Sequence, residues 1–117
     1  MHSGFVQACG HSLEYQIFPA HQINRPTLVL LHEGLGSVAM WRDFPARLAA
    51  ATGCQTLVYS RYGYGQSDLL DAPFGTDYMH REGCDTLPEV LAALRIENPV
   101  LVGHSDGASI ALLNAGA

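Results

Sequence analysis

The feature that most restricts how this chain can fold is Gly103-His104-Ser105-Asp106-Gly107, set between an apolar run (Val100 to Val102) and a segment that reads as a helix from Asp106 towards Ala115. A serine between two glycines, with a buried strand leading in and a helix leading out, is the pattern of a tight strand-to-helix turn. Such a turn lifts the hydroxyl away from the backbone by holding the serine at a strained φ/ψ. The flanking glycines are needed because a Cβ at either place would collide with the neighbouring strand or helix. Ala108 and Ser109 keep the first helical turn small. The helix also directs free N–H groups towards the serine, where they would favour negative charge developing on a bound carbonyl.

The rest of the chain supplies a setting for that turn. Short apolar runs alternate with longer helical patterns, as in an α/β sheet. Phe5 to Gln7 and Leu13 to Phe18 read as an opening pair of strands joined at Gly10. Thr27 to His32 and Thr56 to Tyr59 read as strands covered on both faces. A helix is expected after Pro45, with Phe44, Leu48 and Ala51 on one side and Gly53 as its stop. A second lies between Tyr78 and Arg95, its apolar face made by Leu87, Val90, Leu91 and Leu94, and Pro88 either opens its regular part or kinks it. The order is β-β-β-α-β-α-β-α in one domain, residues 1–117, with no repeat or linker.

Composition narrows the partners. Hydrophobic residues make up 48% of the chain, enough to bury a core. The net charge is −5 and all six cations are arginines without a basic stripe, which argues against nucleic acid. No apolar run is long enough to cross a bilayer, and Met1 to Gly10 lacks the pattern of a secretory signal. Cys9, Cys54 and Cys84 are an odd number without metal-ligand spacing, read as reduced thiols in a cytoplasmic protein. His32-Glu33 opens like a helical zinc motif, but Gly36 stands where the second histidine should be, so no metal and no cofactor are expected.

With these residues in view, the chain resembles the α/β-hydrolase superfamily, through three landmarks in the family's order. His32-Glu33-Gly34-Leu35-Gly36-Ser37 is similar to the family's His-Gly loop, Arg61-Tyr62-Gly63-Tyr64-Gly65-Gln66-Ser67 to its Arg-Gly-x-Gly-x-Ser loop, and the turn at Ser105 to its nucleophile elbow. The resemblance implies the N-terminal part of that fold, a mostly parallel sheet of order 1-2-4-3-5 flanked by helices. It implies Ser105 as nucleophile and an oxyanion hole made by the backbone N–H of Asp106 with that of Leu35 or its neighbour Gly34. His32 and Arg61 are expected to brace the loops and His104 to support the turn from beneath. Trp41 and Phe44 are expected in the core, and His2, His11, His21 and His80 at the surface. Two departures stand out: Glu33 is inserted between His32 and Gly34, and Ser60 stands where many relatives carry an aspartate.

The implied reaction is hydrolysis of a small ester or lactone through an acyl-serine. In this family the acid and the histidine of the triad follow the serine. Residues 106–117 contain no histidine, so the chain is expected to be a fragment that is inactive alone. The strand before Ser105 is then expected to form an open edge that promotes self-association. The alternative is a dinucleotide-binding module using Gly34-Leu35-Gly36-Ser37-Val38-Ala39 as a G-x-G-x-x-A loop. Its weakness is that the first helix begins near Pro45, too late to receive a pyrophosphate.

Overall fold

The computed structural model describes residues 1–22 and 24–117. Its first two strands, β1 (His2–Ala8) and β2 (His11–Phe18), form an antiparallel hairpin that turns at Cys9-Gly10. They are followed by β3 (Thr27–Leu31), α1 (Phe44–Thr52) and β4 (Thr56–Tyr59). A helical run then comprises α2 (Tyr78–Arg81), a π-helical segment (Glu82–Thr86) and α3 (Leu87–Ala93), and the chain continues into β5 (Pro99–Gly103) and α4 (Asp106–Ala115). The sheet order is β1-β2-β4-β3-β5, the order the resemblance implied. It is a mixed sheet: β3–β4 and β3–β5 are parallel, whereas β1–β2 and β2–β4 are antiparallel. The parallel character expected of the fold is thus confined to the three strands that carry the loops of interest.

Both faces of the sheet are covered, which is why β3 and β4 are continuously apolar. On one face Leu13, Val29, Leu31, Leu57 and Tyr59 pack with Leu87, Val90 and Leu91 of α3 and Ile110 of α4. On the other, Leu30 and Val58 pack with Val38, Trp41 and Leu48. At about 25 cal/mol per Å² of apolar surface removed from water, each fully buried leucine or valine stabilises the fold by roughly 1.5–3 kcal/mol.

Two helices differ in detail from expectation. The inner face of α1 is formed by Pro45, Leu48 and Ala49, while Phe44 and Ala51 are exposed. The buried stripe is thus offset by about one residue from the spacing read in sequence, and a short 3₁₀ turn (Ala39–Trp41) precedes the helix. In the second helical run, Pro88 opens the regular helix α3, one of the two places read for it in sequence, and the difference is the π-helical segment that leads directly into it. The widened turn carries Glu82 inward, and Asn114 of α4 donates to the carbonyl of Gly83 at 2.8 Å.

Candidate active site

The C-terminal ends of β3, β4 and β5 point the same way, so the three loops singled out in sequence emerge together at one end of the parallel side of the sheet. Ser105 has φ 59° and ψ −120°, a region that costs a non-glycine residue of order 1–3 kcal/mol. It is exposed, at the junction where β5 ends and α4 begins. The flanking glycines are dictated by contact. A Cβ on Gly103 would lie 2.4 Å from the backbone N of Ala108, and one on Gly107 would lie 2.3 Å from the carbonyl oxygen of Leu31. Neither neighbour is a side chain that could turn aside.

Three backbone donors in the loops after β3 and β5 are left free. Within the described residues no acceptor takes the N–H of Asp106, Gly34 or Leu35. Leu35 is 85% exposed, and Gly34 packs close to the carboxylate of Asp106. The loop that carries them is fixed by His32, which is 1% exposed. His32 Nδ1–H donates to the Glu33 carbonyl at 2.7 Å, and Nε2 accepts the Arg61 backbone N–H at 3.0 Å, which assigns the tautomer. Burial, and then the Arg61 charge, lower its pKa from 6.5 to about 4, so the ring is neutral at pH 7. Both nitrogens are engaged with the scaffold, which suits a brace and leaves no lone pair for a base.

Arg61 is buried with it. Its Nη2 lies 3.1 Å from the His32 carbonyl, 3.2 Å from that of Glu33 and 3.1 Å from Asp106 Oδ1. Two protons cannot fully serve three acceptors, so these bonds are shared. Asp106 Oδ2 also receives Arg61 Nη1 at 3.4 Å and the Tyr78 hydroxyl at 3.3 Å. Tyr64 stands beside this group, its ring 5.2 Å from the guanidinium carbon.

The His104 side chain is exposed and makes no hydrogen bond among the described residues, while its backbone N–H donates to the Leu31 carbonyl at 3.1 Å. The alternation of side chains along β5 turns it outward, into the lining of a cavity of about 140 Å³ shared with His32, Glu33, Met40 and Trp41. Trp41 therefore serves both the core and this cavity, whereas Phe44 stacks on it from the solvent side and is 43% exposed. A larger cavity of about 480 Å³ is bordered by Arg61 and Tyr78, the two side chains that bond Asp106. His2, His21 and His80 are exposed, and His11 is half-buried against Tyr62.

Two features were not foreseen from the sequence. The Ser60 hydroxyl donates to Glu14 Oε2 at 2.8 Å and accepts the Val38 N–H at 2.8 Å, while the Gln66 N–H donates to the same Glu14 oxygen at 2.6 Å. A carboxylate thus reaches this strand end from β2 even though position 60 is serine. The second is the Tyr59 hydroxyl donating to buried Glu82 at 2.5 Å. Burial raises the pKa of both groups above their usual ranges.

Residues 28–117 match the profile of the alpha/beta hydrolase family. The chain belongs to that family. The chain is similar to a proline iminopeptidase of Lactobacillus delbrueckii subsp. lactis, 30% identical over 90 residues that cover 77% of this chain and 31% of the relative. Among solved structures it is similar to the N-formylmaleamic acid deformylase of Pseudomonas putida S16, with 26% identity, a TM-score of 0.78, and coverage of 97% of this chain and 41% of that one. A mutant epoxide hydrolase of Vigna radiata shares the fold at 19% identity and a TM-score of 0.79, with coverage of 98% and 34%. The chain therefore spans between 31% and 41% of the length of these proteins. Within it, the loop after β3 does not meet a helix N-terminus as a dinucleotide site requires, because α1 starts only at Phe44 and carries Asp43 at its cap. Among the described residues no helix is long and apolar enough to cross a membrane.

Proposed function

We propose that the protein carrying this chain hydrolyses small carbonyl substrates, an ester or a lactone, with Ser105 as the nucleophile. The observation that supports this most is the strained, exposed Ser105 at the β5–α4 junction, followed directly by the unpaired N–H of Asp106, whose carboxylate the Gly34 loop packs against. In the acylation step Ser105 Oγ bonds to the carbonyl carbon, its proton passes to a general base, and the C=O electron pair moves onto oxygen. The free N–H donors stabilise that oxyanion, an effect that can reach 10²–10³ per donor in kcat (an order-of-magnitude range). Collapse then breaks the acyl–oxygen bond, the alcohol takes up the proton, and water releases the acid from the serine by the same route.

The base is not supplied by His32, whose two nitrogens are occupied. No histidine among the described residues is hydrogen-bonded to Ser105. The reaction is accordingly proposed for the whole protein, with residues 1–117 inactive alone. The family relatives are named for different bonds, an iminopeptidase, a deformylase and an epoxide hydrolase, so ester or lactone is the reading offered by the serine and its donors. Three unpaired cysteines suit the reducing cytoplasm. The test is turnover of short-chain p-nitrophenyl esters and small lactones by the full-length protein and its Ser105→Ala variant. The expected result is turnover that falls at least about a thousandfold in the variant. Equal turnover by both proteins would end the proposal.

A further inference from the structure

We infer that Asp106 and Arg61 act as a positioning pair that fixes the two sides of the oxyanion hole relative to each other, an inference that rests on the hydrolase reading above. The residue after the nucleophile has two jobs in this structure. Its backbone N–H is left free at the turn, while its carboxylate folds back onto Arg61 and is only 16% exposed. The guanidinium it meets is 4% exposed and bonds the carbonyls of His32 and Glu33 with the same nitrogen. The Glu33 carbonyl and the Gly34 N–H belong to one planar peptide group, so anchoring the first fixes the orientation of the second. One planar fork therefore joins the elbow after β5 to the donor loop after β3. Gly34 packs on the same carboxylate, where a Cβ would come within 3.5 Å of Oδ2. The Tyr78 hydroxyl donates to that oxygen from α2, which adds a third anchor.

Electrostatics gives the pair a second reason to be intact. A carboxylate beside an oxyanion would oppose the charge that develops there, and Arg61 compensates it. The guanidinium suits this task because its donors lie in one rigid plane, whereas a lysine ammonium is a point charge that cannot reach three acceptors in the same way. Neither side chain needs to touch the substrate. Their effect is on where the donors stand when charge develops, so it falls on the chemical step and not on binding.

The experiment compares Asp106→Ala, Asp106→Asn and Arg61→Lys in the full-length protein, with Ser105→Ala as reference. Thermal melts establish that each variant is folded. Steady-state kinetics on a p-nitrophenyl ester and the rate of inactivation by a fluorophosphonate are then measured. The expected result for Asp106→Ala and Arg61→Lys is a ten- to hundredfold lower kcat with KM within threefold, about 1.4–2.7 kcal/mol at 1.36 kcal/mol per decade, and slowed inactivation in proportion. Asp106→Asn, which keeps an acceptor of the same shape, should recover most of kcat. If Asp106→Ala fails to fold, Arg61→Lys carries the test. A folded variant of either with kcat within twofold of wild type, or with its loss confined to KM, would overturn the inference. A wild-type protein without Ser105-dependent turnover would overturn the hydrolase reading and this inference with it, and the Ser105→Ala reference separates the two outcomes.

Discussion

Acidification should weaken this fold through His32, by an amount the structure sets. The ring is 1% exposed, so solvent does little to screen what happens there. Its pKa falls from 6.5 to about 4, through burial first and the Arg61 charge second. In the unfolded chain the histidine takes up a proton as the pH drops below about 6.5, whereas in the folded chain it resists until about 4. The stability it contributes is therefore complete above pH 6.5 and is lost as the pH falls through 4. At about 1.4 kcal/mol per pKa unit the gap corresponds to roughly 3 kcal/mol, of which about 2 kcal/mol should be gone by pH 5. Urea unfolding of wild type and His32→Gln at a series of pH values isolates this contribution, since every other titrating group is shared. The difference in unfolding free energy between the two proteins should shrink by roughly 3 kcal/mol between pH 7.5 and 4. A difference that stays constant across this range, or an imidazole that titrates near 6.5 by NMR in the folded protein, would refute the reasoning.

Gly107→Ala should destabilise the protein by about 3 kcal/mol in urea unfolding, because the new methyl meets the carbonyl oxygens of Leu31 and His32, which are backbone and cannot rotate away. Stability should also carry a mark of Glu82. Its pKa is raised by burial, so its contribution is present below the usual carboxylate range and declines as the pH rises through the raised value; Glu82→Gln, which can still accept from Tyr59, should lack that decline in pH-dependent melts. Among the described residues no strand pairs with the outer edge of β5, and Val100 is 44% exposed beside it. Residues 1–117 expressed alone should therefore self-associate in sedimentation velocity, and Val100→Lys should shift the distribution towards monomer.

Much of this arrangement was legible in the chain because local patterns carry it. The alternation of Leu13, Tyr15 and Ile17 marked β2, the continuous apolar run marked β3, and the pattern of Gly103 and Gly107 marked a turn whose close contacts the structure shows. The strand order came from the resemblance, since periodicity alone does not say which strands are neighbours. What escaped the sequence is pairing across long separations. Ser60 with Glu14 spans 46 positions, Arg61 with Asp106 spans 45, and Tyr59 with Glu82 spans 23. No local spacing predicts that two such residues meet. The π-helical segment was hidden for a related reason: one widened turn shifts the helical phase and carries Glu82 inward, while the leucine spacing that follows remains regular. The buried stripe of α1 runs through Pro45, Leu48 and Ala49, one residue on from the side read in sequence, because the face a helix buries is set by what it packs against.

The central claim is that Ser105 is a nucleophile held ready at the elbow, and covalent capture tests it most directly. The full-length protein would be treated with a fluorophosphonate and its mass and modified peptide determined. A single adduct on Ser105, formed together with loss of ester turnover and absent from Ser105→Ala, is the predicted result. An unmodified Ser105 in a protein that still hydrolyses esters, or an adduct elsewhere that abolishes turnover, would contradict it.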